Sequence, residues 1–167
     1  MENKSLPVGL LDAATIGLVL VTWNSVHSTV HSIFVHLSSL GLEAANAIFF
    51  TLKQDRAQRD ITRALAKVRL AAHDALATRL NKLFNEIDEL GGERNAVAHT
   101  LWEGPTNEGF EPYRFAVHHG ALDLGDYREQ FTALNEKLMR IGRDLTVVYH
   151  QIVPLFPLPH KLPPQSP

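Results

Sequence analysis

The chain has 167 residues, with 16 Lys and Arg against 18 Asp and Glu and 45% hydrophobic residues, a composition typical of one globular domain. It contains no cysteine, so disulfides, thiolate zinc sites, iron–sulfur clusters and cysteine nucleophiles are excluded. The formal net charge of -2 excludes a strongly basic nucleic-acid coat but is compatible with a local basic patch. Nine histidines are the main source of groups that titrate near neutral pH.

The first long segment is free of charge, because residues 13–42 contain no Asp, Glu, Lys or Arg. Only residues 13–21 are strongly apolar, and the polar residues that follow make the segment unsuited to a membrane span of about 20 apolar residues. We therefore predict no membrane span, with a membrane-associated helix as an alternative, and a helix over residues 9–40 that is buried in a bundle or a dimer interface. Its apolar stripe comprises Trp23, Val26, Val30, Ile33, Phe34 and Leu37.

Three further helical patterns follow. Gly41 ends the first helix, and a shorter one is predicted over residues 43–52. In residues 61–90 apolar side chains recur every three or four positions, which predicts one continuous helix of about eight turns. Gly91-Gly92 is predicted to break or kink that helix, since glycine has a poor helix propensity, and a short helical segment then covers residues 94–102.

The last third of the chain is predicted to be more varied. Residues 103–122 form one irregular loop insertion rich in Gly and Pro, in which residues 113–117 alternate like a short strand. Asp123 is a candidate N-cap for the last helix. Residues 153–167 hold six of the nine prolines, which predicts an extended tail in polyproline-like conformation. The sequence thus predicts an all-α bundle of four to five helices in residues 1–152, followed by this tail.

Two histidines of the first helix have the spacing of metal ligands. His27 and His31 are four residues apart, so they lie on one face. No Asp or Glu lies within ten residues of either one to complete a ligand set. We therefore favour a hydrogen-bonding polar seam and predict no metal site and no cofactor.

One histidine occurs in a context that indicates chemistry. Asn95 and His99 are four residues apart on one helical face, and the long side chain of Arg94 reaches over the same turn. A guanidinium can hold two phosphate oxygens, and a neutral imidazole can take the proton of a ribose 2′-hydroxyl. The spacing therefore predicts a phosphodiester site. The alternative is structural: Arg94 pairs with a carboxylate such as Glu89, while His99 caps a helix or packs within the bundle.

The pattern Arg94-Asn95-x-x-x-His99, after a long helix of an all-α bundle, resembles the signature of the HEPN superfamily (higher eukaryotes and prokaryotes, nucleotide-binding). The resemblance covers roughly residues 9–152 and leaves out the proline-rich tail. It implies a metal-independent ribonuclease whose site forms where two subunits bring their motifs together about a two-fold axis. By this resemblance Arg94 binds phosphate, His99 is a general base or acid, and Asn95 is an accessory polar residue.

A basic segment lies between residues 53 and 82, where eight Lys and Arg less three Asp give a local charge of +5. Four of its members are spaced by three or four residues and are expected to form one stripe away from the apolar face: Arg56, Arg59, Arg63 and Lys67. The stripe is interpreted either as a solvated helix face or as a track for an RNA backbone.

Together these patterns predict a cytoplasmic, HEPN-like homodimer that cleaves RNA by attack of a 2′-hydroxyl on the adjacent phosphate. An antitoxin-like partner, as in toxin–antitoxin pairs, is part of this expectation. The alternative is a non-catalytic helical protein that uses the same bundle for dimerisation or for binding a nucleotide or a partner.

Overall fold

Five α-helices dominate the structure, a computed structural model that describes residues 8–99 and 127–159. Helices account for 86% of the described part of the chain, which contains no strand. They are α1 (Val8–Ser38), α2 (Leu42–Thr51), α3 (Asp55–Arg69), α4 (Asp74–His99) and α5 (Tyr127–Ile152). The predicted all-α bundle of four to five helices is confirmed. The predicted loop insertion, its short strand and the Asp123 cap lie outside the described residues.

Apolar stripes hold the longest helices in place. The six side chains predicted for the stripe of α1 are each at most 2% exposed: Trp23, Val26, Val30, Ile33, Phe34 and Leu37. In α5 the buried positions again recur every three or four residues: Phe131, Leu134, Leu138, Ile141, Leu145 and Val148. Each buried side chain of this size contributes about 1.5–3 kcal/mol to the free energy of folding. The 3.6-residue period of the sequence therefore identifies the core of both helices.

The prediction of a single long helix over residues 61–90 is wrong, because the chain turns between α3 and α4. In this turn the N–H of His73 donates to the carbonyl of Leu70 at 2.8 Å. The apolar spacing continues through the turn, but Val68 is 73% exposed while Leu70 is fully buried. Turning at this point buries Leu70 and starts α4 at Asp74, whose carboxylate complements the helix dipole.

Gly91 and Gly92 do not end a helix. Both lie inside α4, which continues to His99. A Cβ atom at Gly91 would lie 3.9 Å from Cη2 of Trp23, and one at Gly92 would meet nothing within 4 Å. The low helix propensity of glycine, about 1 kcal/mol per residue, is outweighed here by the burial of flanking residues such as Leu90 and Val97.

The chain divides into two compact units. Unit 1 comprises Met1–Val26 and Glu86–Gly142, and unit 2 comprises His27–Asn85 and Arg143–Pro167. The division falls within α1, α4 and α5, so each unit contains a part of these three helices, and unit 2 also contains α2 and α3.

The beginning of the proline-rich tail is held by contacts within unit 2. After α5 the N–H of Phe156 donates to the carbonyl of Ile152 at 3.0 Å, which closes a turn. The carbonyl of Phe156 accepts a hydrogen bond of 2.8 Å from Nδ1 of His36. The Arg69 guanidinium carbon lies 4.7 Å from the centroid of the Phe156 ring. The tail therefore begins as an anchored turn, and its last residues lie outside the described part.

Within residues 8–99 and 127–159, no helix combines the length and the apolar character that crossing a bilayer requires.

Candidate functional site

The predicted phosphodiester residues lie in the last two turns of α4. Asn95 and His99 are exposed, and Arg94 is half-buried. Because α4 is unbroken from residue 94 to residue 99, Asn95 and His99 lie on the same face of one helix. The alternative in which His99 packs within the bundle is wrong, since this side chain is exposed.

The indole ring of Trp23 lies beneath Arg94, and both residues belong to unit 1. Its side chain is 2% exposed, and the guanidinium carbon of Arg94 lies 5.2 Å from its ring centroid. Nη1 of Arg94 also donates to Oδ1 of Asn95 at 3.0 Å. A guanidinium that lies over an indole and is bound by an amide is restricted in its orientation. We call Trp23, Gly91, Arg94, Asn95 and His99 the Arg94 cluster.

The Arg94 cluster combines a held cation with an exposed imidazole and an exposed amide. A guanidinium can bind a phosphate oxygen, and an imidazole can exchange a proton with a ribose hydroxyl or a leaving oxygen. The cluster therefore has a cation for phosphate and one group for proton transfer, both of which metal-independent cleavage of a phosphodiester can use.

The predicted basic stripe on α3 is only partly a surface feature. Arg56 and Lys67 are exposed and Arg63 is half-buried, but Arg59 is only 4% exposed. The prediction that all four side chains lie away from the core is therefore wrong for Arg59. The buried positions of α3 are Arg59, Thr62 and Ala66, and this spacing places Arg59 on the inner face.

Arg59 is accommodated by a group of polar side chains that the sequence did not reveal. Its Nη1 donates to Nε2 of His27 at 2.9 Å, and Oδ2 of Asp55 lies 3.7 Å from the same nitrogen. Because a guanidinium only donates, Nε2 accepts and the ring proton of His27 lies on Nδ1 when this bond forms. We call His27, Asp55 and Arg59 the Arg59 cluster. The one sign of this cluster in the sequence was His27, a titratable residue within residues 13–42, which carry no Asp, Glu, Lys or Arg.

His31 takes a separate partner, as expected for a polar seam. Its Nε2 is 2.8 Å from Oδ1 of Asn46, and its ring lies 4.9 Å from the rings of Phe49 and Phe50. Among the described residues, no three His, Asp or Glu side chains form a group that could hold a metal ion. The two histidines thus belong to different hydrogen-bonded pairs.

No family model matches the chain, and neither a curated protein nor a solved structure matches it significantly.

Proposed function

We propose that this protein is a HEPN-like, metal-independent ribonuclease that works as a homodimer in the cytoplasm. The observation that carries the proposal is the Arg94 cluster, in which Arg94 is oriented by Trp23 and Asn95 while His99 is exposed on the same helix. The all-α bundle agrees with the resemblance of the Arg94-Asn95-x-x-x-His99 pattern to that superfamily.

In the proposed reaction, one His99 takes the proton of a ribose 2′-hydroxyl while the 2′-oxygen attacks the adjacent phosphorus. The bond from phosphorus to the 5′-oxygen breaks, and the His99 of the second copy gives a proton to that oxygen. Arg94 binds the phosphate oxygens, on which negative charge grows in the transition state. The products are a 2′,3′-cyclic phosphate and a 5′-hydroxyl, and no step requires a metal ion.

The dimer is proposed to form through the uncharged face of α1. Leu18 is 51% exposed and Val21 is 66% exposed, and these side chains share a stripe with the exposed Ala14 and Ser25. Large apolar side chains on an uncharged helix face favour contact with another protein surface. This stripe and the Arg94 cluster both belong to unit 1.

The activity is tested with RNA and purified protein in the presence of a chelator. We expect cleavage to a 2′,3′-cyclic phosphate, and we expect His99→Ala to lower the rate at least about 100-fold, the contribution of a general base. His150→Ala is the matched control, because His150 is also an exposed histidine near the end of a helix. Equal rates for both variants would overturn the assignment of His99, and a requirement for a metal ion would overturn the mechanism.

The dimer is tested by light scattering. Val21→Glu should give a monomer that has lost cleavage, because a carboxylate would be buried without a partner in the interface. Val68→Glu is the control, since Val68 is 73% exposed on α3 and should tolerate the same charge. A Val21→Glu protein that remains dimeric would exclude this face.

An antitoxin-like partner is the final part of the proposal. An active ribonuclease damages the RNA of the cell that makes it, and a partner that covers Asn95 and His99 would prevent this. Expression of the chain alone should arrest growth, whereas expression of the His99→Ala variant should not.

The second candidate is a non-catalytic protein that dimerises through the same α1 stripe. It is favoured by the contacts of Arg94 with Trp23 and Asn95, because these contacts also stabilise the fold. A stable dimer that leaves RNA intact would support this candidate over the ribonuclease.

A further inference from the structure

A groove between α3 and α4, within unit 2, is separate from the Arg94 cluster. Its volume is about 460 Å³, within the range of small-molecule sites. The floor is apolar, since Ala66, Leu80 and Phe84 line it and each is at most 5% exposed. The short side chains of Ala64 and Ala77 leave the groove open between the two helices.

Arg63 presents a fixed, flat cation at the edge of this groove. Its Nη1 donates to Oδ1 of Asp60 at 2.9 Å, and its Nη2 donates to Oδ1 of Asn85 at 3.2 Å. The guanidinium carbon lies 5.6 Å from the centroid of the Phe84 ring. These contacts hold the guanidinium in one orientation, and guanidinium planes are surfaces on which unpaired nucleic-acid bases stack.

Lys67 adds a second cation one helical turn after Arg63. It also lines the groove, and it is exposed. The charged side chains that line the groove are Arg63, Lys67 and Asp60, and two basic groups against one acidic group favour an anionic ligand. An apolar floor with a flat guanidinium and an exposed ammonium group suits a ligand that has both an aromatic ring and a phosphate.

We infer that the α3–α4 groove binds one nucleotide of single-stranded RNA, with its base at Arg63 and its phosphate at Lys67. The inference rests on the proposed function for the choice of RNA as the ligand. It assigns separate roles to the two sites: the α3–α4 groove binds the RNA strand, and the Arg94 cluster cleaves it. Two members of the predicted basic stripe, Arg63 and Lys67, are thereby the residues that contact the nucleotide in this groove.

Binding is measured by fluorescence anisotropy with a labelled single-stranded RNA and the His99→Ala protein. This background keeps the RNA intact, so the result does not depend on whether the chain cleaves RNA. Lys67→Ala should weaken binding about fivefold or more and reduce the salt slope by about 0.7, the share of one phosphate on a single strand. Lys53→Ala is the matched control, an exposed lysine outside the groove, and it should change binding less than twofold.

The base contact is tested separately. Ala64→Phe should fill the groove and weaken binding about tenfold, within the range for loss of one stacked base. Ala44→Phe places the same ring on α2 at an exposed alanine and should leave binding unchanged. An RNA with abasic nucleotides should bind about tenfold more weakly than the normal strand.

Three results would overturn the inference. Equal weakening by Lys67→Ala and Lys53→Ala would show diffuse attraction by the basic segment. Equal affinity for abasic and normal RNA would show that no base enters the groove. Displacement of the RNA by inorganic phosphate as effective as that by uridine monophosphate would show a simple anion site. If the wild-type protein does not cleave RNA but the variants change binding as expected, only the ribonuclease proposal is contradicted.

Discussion

The Arg94 cluster of unit 1 and the Arg59 cluster of unit 2 place an arginine beside an aromatic ring of α1 in different ways. Arg94 is half-buried over the indole of Trp23, and its helix presents polar side chains to solvent. Arg59 is 4% exposed and donates to His27. A buried cation needs a hydrogen-bond partner and acts mainly on stability, whereas a half-buried one can also reach a ligand. Burial therefore restricts Arg59 to a structural role, while the half-buried Arg94 remains accessible for the phosphate contact that we propose.

The placement of Arg94, Asn95 and His99 on α4 depends on the continuity of this helix through Gly92. Gly92→Pro should lower the free energy of unfolding by about 3 kcal/mol, because proline removes a helical hydrogen bond and its ring clashes with the preceding turn. Gly92→Ala should raise the same free energy by about 1 kcal/mol, since a Cβ there meets nothing within 4 Å. Urea unfolding measures both changes. A well-tolerated proline would mean that the helix is interrupted at the Gly-Gly pair, so that Arg94, Asn95 and His99 would lie on a separate helical segment.

Arg59 should be the more important of the two arginines for stability. Arg59→Ala should lower the free energy of unfolding by about 2 kcal/mol, because it removes a charge-assisted hydrogen bond and leaves His27 without that donor. Arg56→Ala is the control on the same helix, and as an exposed side chain it should cost less than about 0.5 kcal/mol. Similar values for the two variants in urea unfolding would contradict the burial of Arg59.

Arg94 should have the smallest effect on stability and a clear spectroscopic one. Arg94→Ala should lower the free energy of unfolding by about 0.5–1 kcal/mol, the value of a partly exposed cation–π contact. In a Trp102→Phe background, the emission of Trp23 should shift to the red because the ring becomes more exposed. Arg128→Ala, which removes a cation 5.4 Å from the centroid of the Tyr127 ring, should leave that emission unchanged. An unshifted spectrum for Arg94→Ala would place Arg94 away from Trp23.

Helical period explains what could be predicted from the sequence. The stripe of α1 from Trp23 to Leu37 is buried as expected. Apolar residues at three- and four-residue spacing lie on one face of a helix, and that face packs against the core. Asn95 and His99 share a face for the same geometrical reason. These predictions concern residues within one helix, where a fixed rise and rotation relate sequence to position.

The features that could not be predicted depend on contacts between distant parts of the chain. The turn after Leu70 contains neither Gly nor Pro, so only the burial of Leu70 and the exposure of Val68 distinguish it from a continuing helix. Arg59 is spaced like its exposed neighbours, and its partner His27 lies 32 residues earlier. No periodic pattern relates Trp23 to Arg94. Spacing shows which residues share a face, but tertiary packing decides which face is inside.

The anchored turn at Phe156 also determines where the chain can be shortened. A truncation after Pro159 keeps the ring that lies over Arg69 and the carbonyl that accepts from His36. A truncation after Ile152 removes both and leaves Nδ1 of a histidine that is only 8% exposed without its acceptor. For expression and crystallisation, affinity tags and new C-termini therefore belong beyond Pro159, and a chain that ends with α5 would lose part of unit 2.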